Sequence, residues 1–254
     1  MAIAKRIGLS FLPVVLALLF ATLLLVLVGA SPLDAFRQLI EGSLGSDQKI
    51  ADTLMAWAPL VLCTAGLLIT YAAGLWNIGV EGQIIMGAIA ASWAARNITA
   101  PAELLIPATM LAGMIGGAAW GLVVGALRTF GKVSEIFGGL GMNFVATGFT
   151  IYLIFGPWAR AGIASTSGTD TFPREAWLPV IGNTRLAPFA LVLALVAVVI
   201  VYTLLRGTFF GLRLKAVGRN MRSAFLLDVP TNRYMLTAFG LCGVFAGLAG
   251  AVQA

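Results

Sequence analysis

The 254 residues are 60% hydrophobic and 10% charged, with a mean hydropathy of +0.98, which excludes a soluble domain of this length. The formal charge is +6, but there is no histidine, so the commonest general base and metal ligand is missing. Cys63 and Cys242 both fall inside apolar runs, which indicates neither a disulfide framework nor a zinc site.

Lys5 and Arg6 precede an apolar run from Phe11 to Ala30, long enough to cross a bilayer. Val28-Gly29-Ala30 can also be read as a signal-peptide cleavage site, although the run exceeds the core of such a signal and reads better as a retained first span. Ser31–Thr53 is polar and mixed in charge, and is expected to be partly helical at the surface. Leu54–Ala73 is the next apolar run and contains Pro59, which membrane helices tolerate.

Gly74–Gln83 then interrupts the hydrophobic pattern. Glycines at 74, 79 and 82 weaken a helix, and Asn77, Glu81 and Gln83 are groups that bare hydrocarbon would not accept. Two readings stand side by side: a solvated turn between two spans, or a broken segment at membrane depth that protein surrounds. The following run, Ile84–Ala95, is too short to cross unless its helix begins at or before Gly82; otherwise it is re-entrant.

Leu104–Leu127 is a span with Gly113, Gly117, Gly121 and Gly125 on one helical face, which lets another backbone approach closely. Static packing is favoured over a sliding contact. Arg128 and Lys132 follow, and Glu135 opens a span over Ile136–Phe155 with Asn143 inside it. Gly156–Leu186 is a long polar connection, and Ala187–Leu205 is a clear span. Arg206–Arg233 reads as a polar loop with one short helix over Met221–Leu227, closed by Pro230. Tyr234–Ala254 begins a last span. The fold class is therefore an all-α polytopic membrane protein of six to seven spans, in one transmembrane domain over residues 1–254.

Loop charges suggest an orientation. With a cytoplasmic amino terminus, the inner side holds Lys5, Arg6, Arg128, Lys132 and the six basic residues of the last loop, Arg206, Arg213, Lys215, Arg219, Arg222 and Arg233. The outer side holds Arg37, Lys49, Arg96, Arg160, Arg174 and Arg185, so the ratio of ten to six favours this topology. From the pattern alone, the helix in the last loop suits either a lipid surface or a groove on a cytoplasmic partner.

The run Asn77-Ile78-Gly79-Val80-Glu81-Gly82-Gln83 resembles the signature of bacterial ABC-importer permeases for nucleosides and simple sugars, within the superfamily of ribose and branched-chain amino acid permeases. Glu135-Ile136 followed by Asn143 is similar to that family's E-V-I…M-L-N segment. Gly211–Ala224 resembles its G-L-R-x-R-A-V-G-x-N…A-A loop, and Phe239–Ala251 resembles its glycine-rich span. Gly138 and Gly139 stand where the family usually has hydroxyl residues, Met221 replaces a frequent proline, and Asp228 sits where glycine is usual. Such permeases continue through further spans, so the resemblance implies a chain truncated relative to its family.

The resemblance further implies a division of labour among a solute receptor (periplasmic or lipoprotein), two permease subunits forming a homo- or heterodimer, and a cytoplasmic ABC ATPase, all at the bacterial inner membrane. No phosphate-binding G-x-x-x-x-G-K-[ST] motif occurs, so ATP is expected on another chain, with no cofactor or metal here. Asn77, Glu81, Gln83 and Asn143 are then the expected groups along the solute pathway. Gly211, Arg213, Lys215, Gly218, Asn220 and Ala224 are expected in the segment that couples to the ATPase. The solute class expected is a nucleoside or a related polar molecule. A simple sugar or a branched-chain amino acid is the near alternative. An ion-coupled secondary transporter using Glu81 as its proton site is the more distant one.

Overall fold

The computed structural model describes residues 2–160 and 169–254, with the backbone alone for residues 2–11. The side chains of Lys5 and Arg6, and residues 161–168 of the long polar connection, lie outside what is described. The described residues form ten α-helices, a 3-10 turn at Arg174–Ala176, and an isolated bridge between Ala159 and Thr169. They divide into two compact units, Met1–Thr53 and Leu54–Ala254.

In the first unit, α1 (Ala2–Leu27) is followed by α2 (Pro32–Leu44), and Leu12–Leu27 and Pro32–Leu44 meet at a bend of 115°. Gly29 supplies the left-handed turn between them at φ +81°. Ser31 caps α2 by accepting from the Asp34 N–H at 3.4 Å, with Pro32 in the first turn where its missing N–H is harmless. No residue of α2 is buried, as expected for the polar, mixed-charge Ser31–Thr53 stretch.

Helix α3 (Asp47–Ala72) carries the boundary between the units and starts seven residues before the apolar run expected at Leu54. The cause is local: the Ser46 hydroxyl accepts from the Lys49 N–H at 3.3 Å, and Asp47 sits in the first turn, where an anion is favoured. The second unit continues with α4 (Val80–Asn97), α5 (Ala102–Thr129), α6 (Glu135–Phe155), α7 (Pro188–Gly207), α8 (Phe209–Arg219), α9 (Met221–Leu226) and α10 (Thr231–Gln253).

Five helices, α3, α5, α6, α7 and α10, are long and apolar enough to cross a membrane, and the bent α1–α2 pair would make a sixth. Helix α4 does not pass the same test, because its 18 residues carry Glu81, Gln83, Arg96 and Asn97. Helix α10 is the centre of the second unit: 67% of its apolar window is buried, against 17–39% for the other four spans. Around it the core includes Leu62 and Ile69 of α3, Val124 of α5, Val201 of α7 and Phe239 of α10 itself. Many outward residues remain exposed and apolar, such as Leu111, Ile115, Leu195 and Val199, the surface a lipid-facing helix requires.

Candidate functional site

The break after α3 is made by a glycine. Gly74 adopts φ +72°, and the Leu75 N–H turns back to the Thr70 carbonyl at 3.0 Å, ending the helix. The chain then passes inward: Leu75 and Asn77 are each 2% exposed. Helix α4 starts at Val80, before Gly82. A methyl group placed on Gly82 would lie 2.8 Å from Trp120 Nε1 of α5. Trp120 stands more than two turns short of the end of α5 at Thr129, about 13 Å by helical rise. Helix α4 therefore starts well inside the length of α5, and its irregular approach alternates buried Leu75, Asn77 and Gly79 with exposed Trp76 and Ile78.

That approach needs its polar groups satisfied, and three amide side chains do this. Gly79 is the N-cap of α4 and offers no side chain to it. Asn143, from the third turn of α6, supplies the cap instead. Its Oδ1 accepts the Gly82 N–H at 2.8 Å, while its Nδ2 donates to the Ile78 carbonyl at 3.1 Å and faces Glu81 Oε2 at 3.4 Å. One side chain thus serves an orphan N–H at a helix start and an orphan carbonyl in the break. Asn77 and Gln83 form a reciprocal pair, with Nδ2 to Oε1 at 3.4 Å and Nε2 to Oδ1 at 3.5 Å. Asn77 Nδ2 also meets Cys242 Sγ of α10 at 3.1 Å. Of the four expected pathway residues, Asn77, Gln83 and Asn143 are buried and turned toward each other or the backbone, and Glu81 is exposed in the first turn of α4. Gly79 and Gly139 let α6 close against the break; a methyl on Gly79 would come within 2.9 Å of Gly139 Cα.

Gly113, Gly117, Gly121 and Gly125 are all buried and stand along α5 against α10. A methyl on Gly117 would meet Gly247 Cα at 2.6 Å, and one on Gly113 would meet the Gly247 carbonyl at 2.8 Å. Helix α10 presents Gly250 to α4 at the Ile84 carbonyl and Ala88, and Gly87 of α4 faces Gly247. Helices α4, α5 and α10 therefore touch backbone to backbone, where dispersion and close approach replace side-chain interlock.

The stretch Arg206–Arg233 differs from the expected loop with one short helix. It contains two helices, α8 and α9, because two polar caps divide it. The Thr208 hydroxyl accepts the Gly211 N–H at 3.1 Å to start α8, and Asn220 Oδ1 accepts the Ser223 N–H at 3.0 Å to start α9. Lys215 Nζ donates to the Leu205 carbonyl at 2.6 Å near the end of α7, where a cation meets the negative end of the helix. Arg213, Arg219 and Arg222 remain exposed, Gly211 packs under the Leu204 and Leu205 carbonyls, and Ala224 is 3% exposed. Gly218 sits directly on the end of α3: a methyl there would press on the Ala72 carbonyl and lie 2.8 Å from Ala73 C and Gly74 N. Within the short helix expected over Met221–Leu227, Phe225, Leu226 and Leu227 are 67%, 76% and 78% exposed beside the basic flank.

The model for the family described as branched-chain amino acid transport system / permease component matches residues 49–254. The glucose ABC transporter permease protein of Haloferax volcanii is 32% identical over 256 residues, an alignment that covers 97% of this chain and 67% of that protein. The nucleoside ABC transporter permease protein of Lactococcus lactis subsp. cremoris is 26% identical, over 98% of this chain and 70% of its own length. The guanosine ABC transporter permease protein of Bacillus subtilis is 27% identical, over 98% and 73%. No solved structure matches the chain.

Proposed function

The chain belongs to the family of ABC-type permease components whose model covers residues 49–254, and from that membership we propose how this membrane-embedded transport subunit works and what it carries. It lines the translocation pathway of an ATP-driven importer in the plasma (inner) membrane, for a nucleoside or a simple sugar, the solutes named for its relatives. A second permease subunit completes the pathway, a receptor delivers the solute, and a separate cytoplasmic ATPase drives the cycle. The amino terminus and the α8–α9 segment face the cytoplasm, in keeping with the basic residues gathered between Arg206 and Arg233.

The observation that carries this reading is the seat of Gly218 on Ala72–Gly74. It joins the basic α8–α9 segment to the point where α3 ends and the chain turns inward. The exposed Phe225–Leu227 cluster, flanked by Arg219 and Arg222, forms the docking surface for the ATPase, as a short apolar helix fits a groove. Movement delivered there reaches the break through backbone contact, and the amides of Asn77, Gln83 and Asn143 hold the break as one body while it moves. Asn77, Gln83 and Asn143 are thus assigned to supporting the pathway, with Glu81 left to meet the solvated lumen.

The test is uptake by the complete complex in proteoliposomes with labelled guanosine and labelled glucose. Uptake of one of them that requires ATP and the receptor is expected. Uptake that continues without ATP but collapses with the proton gradient would reject the ATP-driven reading in favour of ion coupling.

A further inference from the structure

Away from the break, α4 and α6 diverge around a cleft of about 390 Å³, within the range of small-molecule sites (roughly 300–1,000 Å³). Much of its lining is aliphatic, from Ile85, Ala88 and Ile89 of α4 and Ile151 and Ile154 of α6; set into it are hydroxyls, two aromatic rings and one cation, from Ser92 and Arg96 of α4, Thr147 and Thr150 of α6, and Trp158 and Phe172 of the connection that follows α6. Arg96 is held in an unusual way. Its Cζ lies 5.1 Å from the Trp158 ring centroid and 5.0 Å from that of Phe172, and Nη2 donates to the Asp170 carbonyl at 3.1 Å. Its Nε is buried and has no acceptor among the described residues. A buried guanidinium N–H without a protein acceptor is open to a water or to an acceptor on a bound molecule.

The hydroxyls complement that donor. Thr147 gives its proton to the Asn143 carbonyl at 3.0 Å and Thr150 gives its own to the Ala146 carbonyl at 3.0 Å, so both oxygens offer lone pairs as acceptors. Ser92 adds a hydroxyl that can donate or accept. Donors from Arg96, acceptors from Thr147 and Thr150, and ring faces from Trp158 and Phe172 together match a molecule with hydroxyls on its edge and an apolar face. Among the six groups Arg96 alone is charged, and its charge is already met by two ring faces and a carbonyl.

The geometry points to a solute site in this cleft for a neutral hydroxylated ring, the pentose of a nucleoside or a hexose. This inference rests on the transport reading above and deepens it by placing the solute between α4 and α6. Thr147 is one turn from Asn143, so occupancy of the cleft bears on the same α6 face that caps α4.

Single-cysteine labelling in the full complex tests it. Cys63 and Cys242 are buried, which keeps background labelling low. Thr150→Cys, and separately Ser92→Cys, would be labelled with a membrane-impermeant thiol reagent in the presence of glucose, guanosine or their phosphate esters. Glucose or guanosine at roughly ten times its dissociation constant is expected to slow labelling about tenfold at both positions, and the arm that protects identifies the ring. Labelling unchanged by either neutral solute, in complexes that still perform ATP-dependent uptake, would overturn the site while leaving the transport reading intact. Protection by the phosphate esters alone would overturn the neutral-ring assignment. Protection in the variants, together with no ATP-dependent uptake by the wild-type complex, would support the site and remove the transport reading instead.

Discussion

Two regions of the second unit solve the same problem by opposite means. Where α5 meets α10, the chain removes side chains: Gly113, Gly117, Gly121, Gly243 and Gly247 bring two regular helical backbones together. Where α3 gives way to α4, the backbone is irregular and only part of it is paired internally, with the Gly82 N–H and the Ile78 carbonyl taken by a side chain. There the chain adds polar side chains, and Asn143 does for α4 what no residue of α4 does for itself. The first contact tolerates no added volume, and the second tolerates no lost hydrogen bond. The integrity of the break depends on a few directional contacts beside α8.

The comparison can be broken by substitutions whose effects should fall in a definite order. Gly117→Val is expected to be the most damaging, because its side chain would enter the backbone of Gly243 and Gly247, and overpacking that cannot relax costs about 3 kcal/mol or more. The readout is the yield of monodisperse complex and its thermal midpoint; a stable variant would show that the helices are not packed backbone to backbone. Asn143→Ala should follow at about 2 kcal/mol, since it leaves the buried Gly82 N–H unpaired and takes the donor from the Ile78 carbonyl. A midpoint equal to wild type would mean that another group or water replaces the amide.

Glu81→Gln is a finer probe. Glu81 is exposed, so the change should remove about 0.5 kcal/mol of favourable interaction with the start of α4. Apparent solute affinity should change little. A sharply weakened affinity in a stable complex would place Glu81 against the solute. Leu226→Glu should leave the thermal midpoint within about 0.5 kcal/mol of wild type, because Leu226 is a surface residue, yet it should abolish co-purification of the ATPase. Retained ATPase binding in that variant would remove α9 from the docking surface.

What the sequence made legible follows the range over which each interaction acts. The glycine spacing on α5, the apolar spans and the interruption at Gly74–Gln83 are periodic or local signals, and the helices lie where those signals fall. The two-helix form of Arg206–Arg233 was also written locally, in Thr208 and Asn220, but a basic, glycine-containing stretch masks its own caps. The role of Asn143 was not legible in the same way. Its partner Gly82 is 61 positions away, and nothing near either residue says that a side chain of α6 will cap α4. Arg96 is similar, since its partner Asp170 stands 74 positions later and its flanking rings come from the same distant connection. Polar residues at membrane depth announced that partners were needed without announcing which.

The central claim is that motion of α8 reaches the break through the seat of Gly218 on Ala72–Gly74. Gly218→Ala tests it most directly, because even one methyl group there presses on that backbone. In proteoliposomes made from the intact complex, solute taken up per ATP hydrolysed should fall about tenfold, roughly 1.4 kcal/mol of lost coupling, while hydrolysis itself continues. An unchanged ratio of uptake to hydrolysis would contradict the claim and move the coupling route to a different contact of α8 or α9.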